Sequence, residues 1–147
     1  LAQAGAELLI KTLPSIEQGT AVAEKQPEES PTPYAAMITK QMGLLDFTKS
    51  AETLERLVRG MNPWPSAYTF VNGKTLKVWK SSVSQETSDA QPGTVILTDK
   101  AGIHVACKEG VLLLTEVQLE GKKRMDAETF LRGYHMEQGT VFTDHKE

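Results

Sequence analysis

Residues 67–84 read AYTFVNGKTLKVWKSSVS, and this stretch decides the fold. AYTFV and KTLKVWKSSVS alternate apolar and polar residues with period two. Asn72-Gly73 between them is the dipeptide a type I′ turn asks for, because both central residues take positive φ. The stretch is a β-hairpin. Three more strand-like runs follow, GTVILT (93–98), GIHVAC (102–107) and VLLLTEVQL (111–119), separated by Asp99-Lys100-Ala101 and Glu109-Gly110. Five strands in series, with short turns and one longer polar excursion from Gln85 to Pro92, imply a mainly β fold that forms a small closed or partly open barrel.

Helices flank the strands. Ser50 is placed as the N-cap of AETLERLVRG, where Ala51, Leu54, Val58 and Met61 share one face and Gly60 with Pro63 ends the helix. Asp126 caps a last helix, DAETFLRGYHM, whose Phe130, Leu131 and Tyr134 pack back on the barrel. Upstream, Ala6, Leu9, Ile10, Leu13 and Ile16 lie on one face of a helix between Gly5 and Gly19, with Pro14 inside it. Thr20 to Pro33 has three prolines, Glu24, Glu28 and Glu29, and no apolar period, so it is a semi-extended linker. The expected organisation is an isolated helix (1–19), a linker (20–36) and one compact domain (37–147). A helix with an apolar face and no nearby partner has lost the surface it packs on or docks on the domain that follows, and residues 6–16 are also a candidate for pairing two copies of the chain.

Composition limits the function. The 147 residues carry 39% hydrophobic side chains and a net charge of -3, enough for one core. No apolar run approaches the roughly 18 residues of a spanning helix, so no membrane partner is expected. The chain opens LAQAGAELL, which reads as a piece of a longer polypeptide. Cys107 is the sole cysteine and sits in the apolar run IHVAC, as expected of a buried, reduced thiol in a cytoplasmic protein. The acidic balance comes from residues 1–36; the rest holds fourteen acids and fourteen bases. Within that neutral remainder, Arg56, Arg59, Lys74, Lys77 and Lys80 fall in a stretch without an acid (56–85), a pattern that suits a polyanion.

The candidate site residues emerge from charge and strand phase. Lys122, Lys123 and Arg124 repel one another in LEGKKRM (119–125), which marks either a solvated turn or a seat for an anion. In KTLKVWK, Leu76 and Val78 point one way and Lys77 and Trp79 the other. A cation beside a large aromatic on a barrel's outer face can hold a phosphate and stack on a base, although Trp79 could equally be a cap covered by a helix. Arg56 and Arg59 have i,i+4 partners in Glu52 and Glu55; Arg59, at the helix end, can also reach outward. His104, His135 and His145 have no metal-ligand spacing, the serines have no local base motif, and there is no phosphate-cradling glycine loop. The residues describe a binding module.

The segments GAELLIKTLPSIEQGTA, YAAMITKQMGLLDF, SAETLERLVRGMNPWPSAYT, NGKTLKVWK, PGTV, GIHVAC and LEGKKRMDAETFLRGY resemble, over nearly the whole chain, the C-terminal part of bacterial methionyl-tRNA formyltransferases. RGMNPWPSAYT and LKVW are shared with related formyltransferases, whereas LEGKKRM favours the tRNA enzymes. The resemblance implies a two-domain enzyme, monomeric when whole. A Rossmann-like catalytic domain uses 10-formyltetrahydrofolate, and an OB-like C-terminal barrel of five to six strands helps hold the methionyl initiator tRNA. It also implies that residues 5–19 end the catalytic domain and that this chain binds no cofactor and no metal. The family's catalytic Asn, His and Asp motifs are not in it, so it should transfer no formyl group. The tRNA-contacting residues so implied are Lys122, Lys123, Arg124 and Lys77, with Arg59 and Trp79 alongside. Two alternatives remain open on sequence: the C-terminal domain of a sugar-amine formyltransferase, with no RNA affinity, and a freestanding OB-type module, for which 6% aromatic residues is a poor supply.

Overall fold

A computed structural model describes residues 1–146 and divides the chain into two units, Leu1–Ala36 and the residues from Met37 on. In the first unit, helix α1 (Ala2–Glu17) contains Pro14 and buries none of its residues, with Leu9, Ile10, Leu13 and Ile16 all exposed. It starts a few residues earlier than the sequence implies. Residues 18–36 form neither helix nor strand.

The second unit is built on one antiparallel sheet. Its strands are β1 (Ala67–Val71), β2 (Lys74–Val83), β3 (Val95–Thr98), β4 (Ile103–Ala106), β5 (Val111–Leu119) and the short β6 (Met125–Asp126). They pair in the order β1-β2-β5-β4-β3, with β6 also on β5. The expected hairpin is present: Asn72 and Gly73 have φ of 49° and 68°, and Val71 pairs with Lys74. Its inward residues follow the alternation, with Ala67, Thr69, Val71, Leu76 and Val78 buried. Helix α2 (Ala51–Gly60) is capped by Ser50, whose Oγ accepts the Thr53 N–H at 3.3 Å, and it packs Leu54 and Val58 on β2 and β5. Helix α3 (Ala127–Gly133) is capped by Asp126, which accepts the Thr129 N–H at 2.7 Å. It is shorter than expected because the backbone turns extended at Tyr134, which still stacks on the buried Phe130 with ring centroids 4.9 Å apart. Cys107 is buried as expected, and burial pushes its thiol up to about 11.

The sheet does not close on itself. β1 and β3 are the ends of its path, and an exposed edge of unpaired backbone groups is a liability. The segment 139–143, for which the sequence gives no strand signal, is bonded to both edges. Thr143 exchanges two backbone hydrogen bonds with Phe70 of β1, while Thr140 accepts the Val95 N–H and Phe142 donates to Gly93. Phe142 anchors the segment by burying its ring 5.9 Å from that of Phe47. The barrel is therefore partly open, with a strap of irregular chain spanning its gap.

Replacing Phe142 by alanine removes the anchor of that strap. We expect a loss of about 3 to 5 kcal/mol in urea unfolding, the cost of emptying a buried aromatic site, together with lost exchange protection at the Val95 and Thr143 amides. A loss below about 1 kcal/mol would show that the edges hold without it.

Candidate nucleic-acid interface

The outer face of β2 and the turn after β5 meet at Trp79. Lys77 is exposed and Trp79 half-buried, as the strand phase requires, but the pairing with β5 is interrupted there. Val78 lies opposite Val117 and Lys80 opposite Glu116, so Trp79 is an extra residue in the ladder. This bulge bends the strand and re-aims the side chains beyond it. In an unbroken strand Lys80 would share the inward phase of Leu76 and Val78; here it is exposed, with Nζ 2.9 Å from Glu116 Oε2.

The bulged tryptophan is held from several sides. Its indole N–H donates to Gln118 Oε1 at 3.2 Å, and the Gln118 amide donates in turn to the Lys122 carbonyl at 3.0 Å. Asn62, just beyond α2, donates to the Trp79 carbonyl at 3.2 Å. Arg124 then folds over the ring, its guanidinium carbon 4.5 Å from the centroid, and gives its Nε–H to Glu116. Lys77 Nζ is 5.8 Å from the same centroid. What lies over the ring is a pair of cations, an arrangement the aromatic quadrupole favours.

One carboxylate thus serves two cations. The hydrogen bond from Arg124, and then that from Lys80, hold Glu116 down to about 2, and the same pairing raises Arg124. A depressed carboxyl stabilises the fold fully above its unfolded value of 4.5, and that contribution fades as pH falls from there toward 2.

Lys122 and Lys123 are exposed on the turn, and among the described residues no carboxylate pairs with either. Arg56 and Arg59 make their helix pairs, at 3.1 Å with Glu52 and 3.2 Å with Glu55. Arg59 gives both Nε–H and Nη2–H to Glu55, and the pair lines, with Asn62, Trp79 and Lys80, a groove of about 270 Å³ between α2 and β2. Lys77 and Arg124 meet over Trp79, which reaches the backbone carbonyl of Lys122 through Gln118; Lys123 follows in the same turn, and Arg59 lines the groove beside Trp79 and Lys80. Sequence reasoning counts Lys80 among the cations of residues 56–85 without placing it on this face, and it does not single out Glu116 or Gln118. A lysine in an inward strand phase is itself a signal of a bulge, while Glu116 and Gln118 emerge only once the register of β5 against β2 is known.

Ser84, which has no base beside it in sequence, lies with its Oγ 3.1 Å from His104 Nδ1, and His104 Nε2 is 3.4 Å from Asp99 Oδ1. The chain Ser84–His104–Asp99 is a brace: His104 is buried within β4, and Asp99 also accepts the turn amides of Ala101 and Gly102. Among the described residues no cluster suits a metal ion, and no helix is long and apolar enough to cross a membrane.

A six-stranded antiparallel sheet with capped flanking helices and a basic outer turn defines a class, and residues 37–135 match the model of the formyl transferase C-terminal domain. The chain belongs to that family. It is 48% identical over 143 residues to a methionyl-tRNA formyltransferase of Agathobacter rectalis, covering 97% of this chain and 46% of that protein. It is 47% identical over 148 residues to one of Bacillus subtilis, covering 100% and 46%. The chain spans about half the length of these curated relatives. Among solved structures, a HypX variant from Aquifex aeolicus aligns with a TM-score of 0.58 at 20% identity, over 89% of this chain and 24% of that one. HypX in complex with tetrahydrofolic acid aligns at 0.58 and 18%, over 95% and 26%. At such identities the likeness is one of fold.

The Glu116 carboxyl is expected to titrate near 2 when followed by carbon NMR. Titration at an ordinary value above 4 would mean that Arg124 and Lys80 do not hold it in solution.

Proposed function

We propose that this chain is the tRNA-binding C-terminal part of a methionyl-tRNA formyltransferase. The observation that carries the reading is the gathering of Lys77 and Arg124 over Trp79, with Lys80 beside them and Lys122 and Lys123 exposed on the adjoining turn, on a domain whose similar proteins bear that name. Such cations contact sugar-phosphate backbone, which supplies affinity and orientation but little sequence information. They position the inner side of the initiator tRNA so that its aminoacylated end reaches a catalytic domain, which formylates the methionyl amino group for translation initiation. The whole enzyme works as a monomer in the cytoplasm, where its tRNA is. The chain alone self-associates through α1, a point light scattering at high concentration reads directly.

The formyl donor, 10-formyltetrahydrofolate, belongs to the catalytic domain in this reading. No residue of this chain is assigned to the donor, and the chain alone transfers no formyl group, as a folate-dependent formylation assay would read.

Binding of initiator tRNA across a salt series, beside the variant K122A/K123A/R124A, tests the reading. The wild-type chain should bind weakly, and the variant should lower the slope of log affinity against log salt by roughly two to three. Equal slopes, or no binding by either, would leave the turn as solvated surface and favour a sugar-amine formyltransferase domain.

A further inference from the structure

Arg124 is held as Lys122 and Lys123 are not. Its Nε–H is given to Glu116 and its guanidinium carbon lies 4.5 Å over the centre of the Trp79 ring, while the side chain stays 41% exposed. A guanidinium carries five N–H donors in one plane. With Nε engaged and the group held over the ring, what remains is the terminal Nη edge, for which no protein acceptor is found among the described residues. That edge matches two oxygens of a phosphate.

The support behind it is rigid in turn. Glu116 is only 19% exposed, and its second oxygen is taken by Lys80. Trp79 is fixed by the bulge, by Gln118 through its indole N–H and by Asn62 at its carbonyl. Gln118 also donates to the Lys122 carbonyl, which ties the turn to the ring.

We infer that Glu116 and Trp79 are positioning residues that fix Arg124 as a preorganised fork for one backbone phosphodiester of the bound RNA. The inference rests on the RNA-binding reading and deepens it, naming the group this part of the surface takes and the residues that shape it. It has a consequence opposite to simple Coulomb expectation. An acid inside a basic surface ought to repel RNA, and its removal ought to tighten binding. Here its charge is already matched by two cations, and its loss frees a rotamer-rich side chain that the RNA must then order.

The test is initiator tRNA binding by the full chain at fixed salt, with E116A, E116Q and R124K. E116A should bind about three- to tenfold more weakly, the cost of immobilising one such side chain, despite its more positive charge. E116Q, whose amide oxygen still accepts the Nε–H, should stay within about twofold of wild type. R124K keeps the charge and the salt slope but loses the fork, and should weaken as E116A does. Thermal melts check that each variant folds; if E116A does not, R124K decides alone. Binding by E116A as tight as wild type or tighter, or R124K indistinguishable from wild type, overturns the inference and leaves RNA binding standing. A wild-type chain that binds no tRNA removes both.

Discussion

The ladder between β2 and β5 is the constraint on which the rest depends. These two long strands join the hairpin to the meander, carry Leu76, Val78, Leu114 and Val117 into the core, and receive α2 on top. Their pairing is regular up to Val78 and Val117 and then slips, with Trp79 bulged on β2 and Thr115 left out on β5 before Ser81 meets Leu114. The slip costs ladder hydrogen bonds but re-aims Lys80, and it brings Glu116 beneath Arg124. Core and surface are two outcomes of one register.

That dependence explains what the sequence showed and what it did not. Asn72-Gly73 fixes a turn by backbone chemistry alone, and the Ser50 and Asp126 caps act within three residues, so these elements were legible from local pattern. So were the outward phase of Lys77 and the three adjacent cations. The strap at 139–143 was not, because its structure comes from two sheet edges distant in sequence rather than from any period of its own. Nor was the carboxylate beneath Arg124. Glu116 reads as one more polar residue in VLLLTEVQL until β5 is set against β2, and the period-two rule that places Lys77 correctly misplaces Lys80, since a bulge is one residue's departure from it.

The interface also shows why adjacent charges of one sign need not be idle. Lys122 and Lys123 stay in water, where mutual repulsion is screened and cheap. Arg124 is drawn off to an acid and an aromatic ring, which relieves the crowding and orders its guanidinium. A neutral domain thus presents a local group of cations without a high net charge.

The central claim is that RNA lies on the Trp79 face. Titrating isotope-labelled chain with initiator tRNA and following its two indole N–H signals tests this most directly. Trp79 is half-buried in the interface and bonded to Gln118, while Trp64 is exposed at 58% beyond the end of α2. The account predicts that the Trp79 signal shifts together with the amides of Lys77 and of residues 122–124, and that high salt reverses the shifts. Shifts confined to the groove around Thr98, Lys100 and Arg132, with Trp79 unmoved, would contradict it.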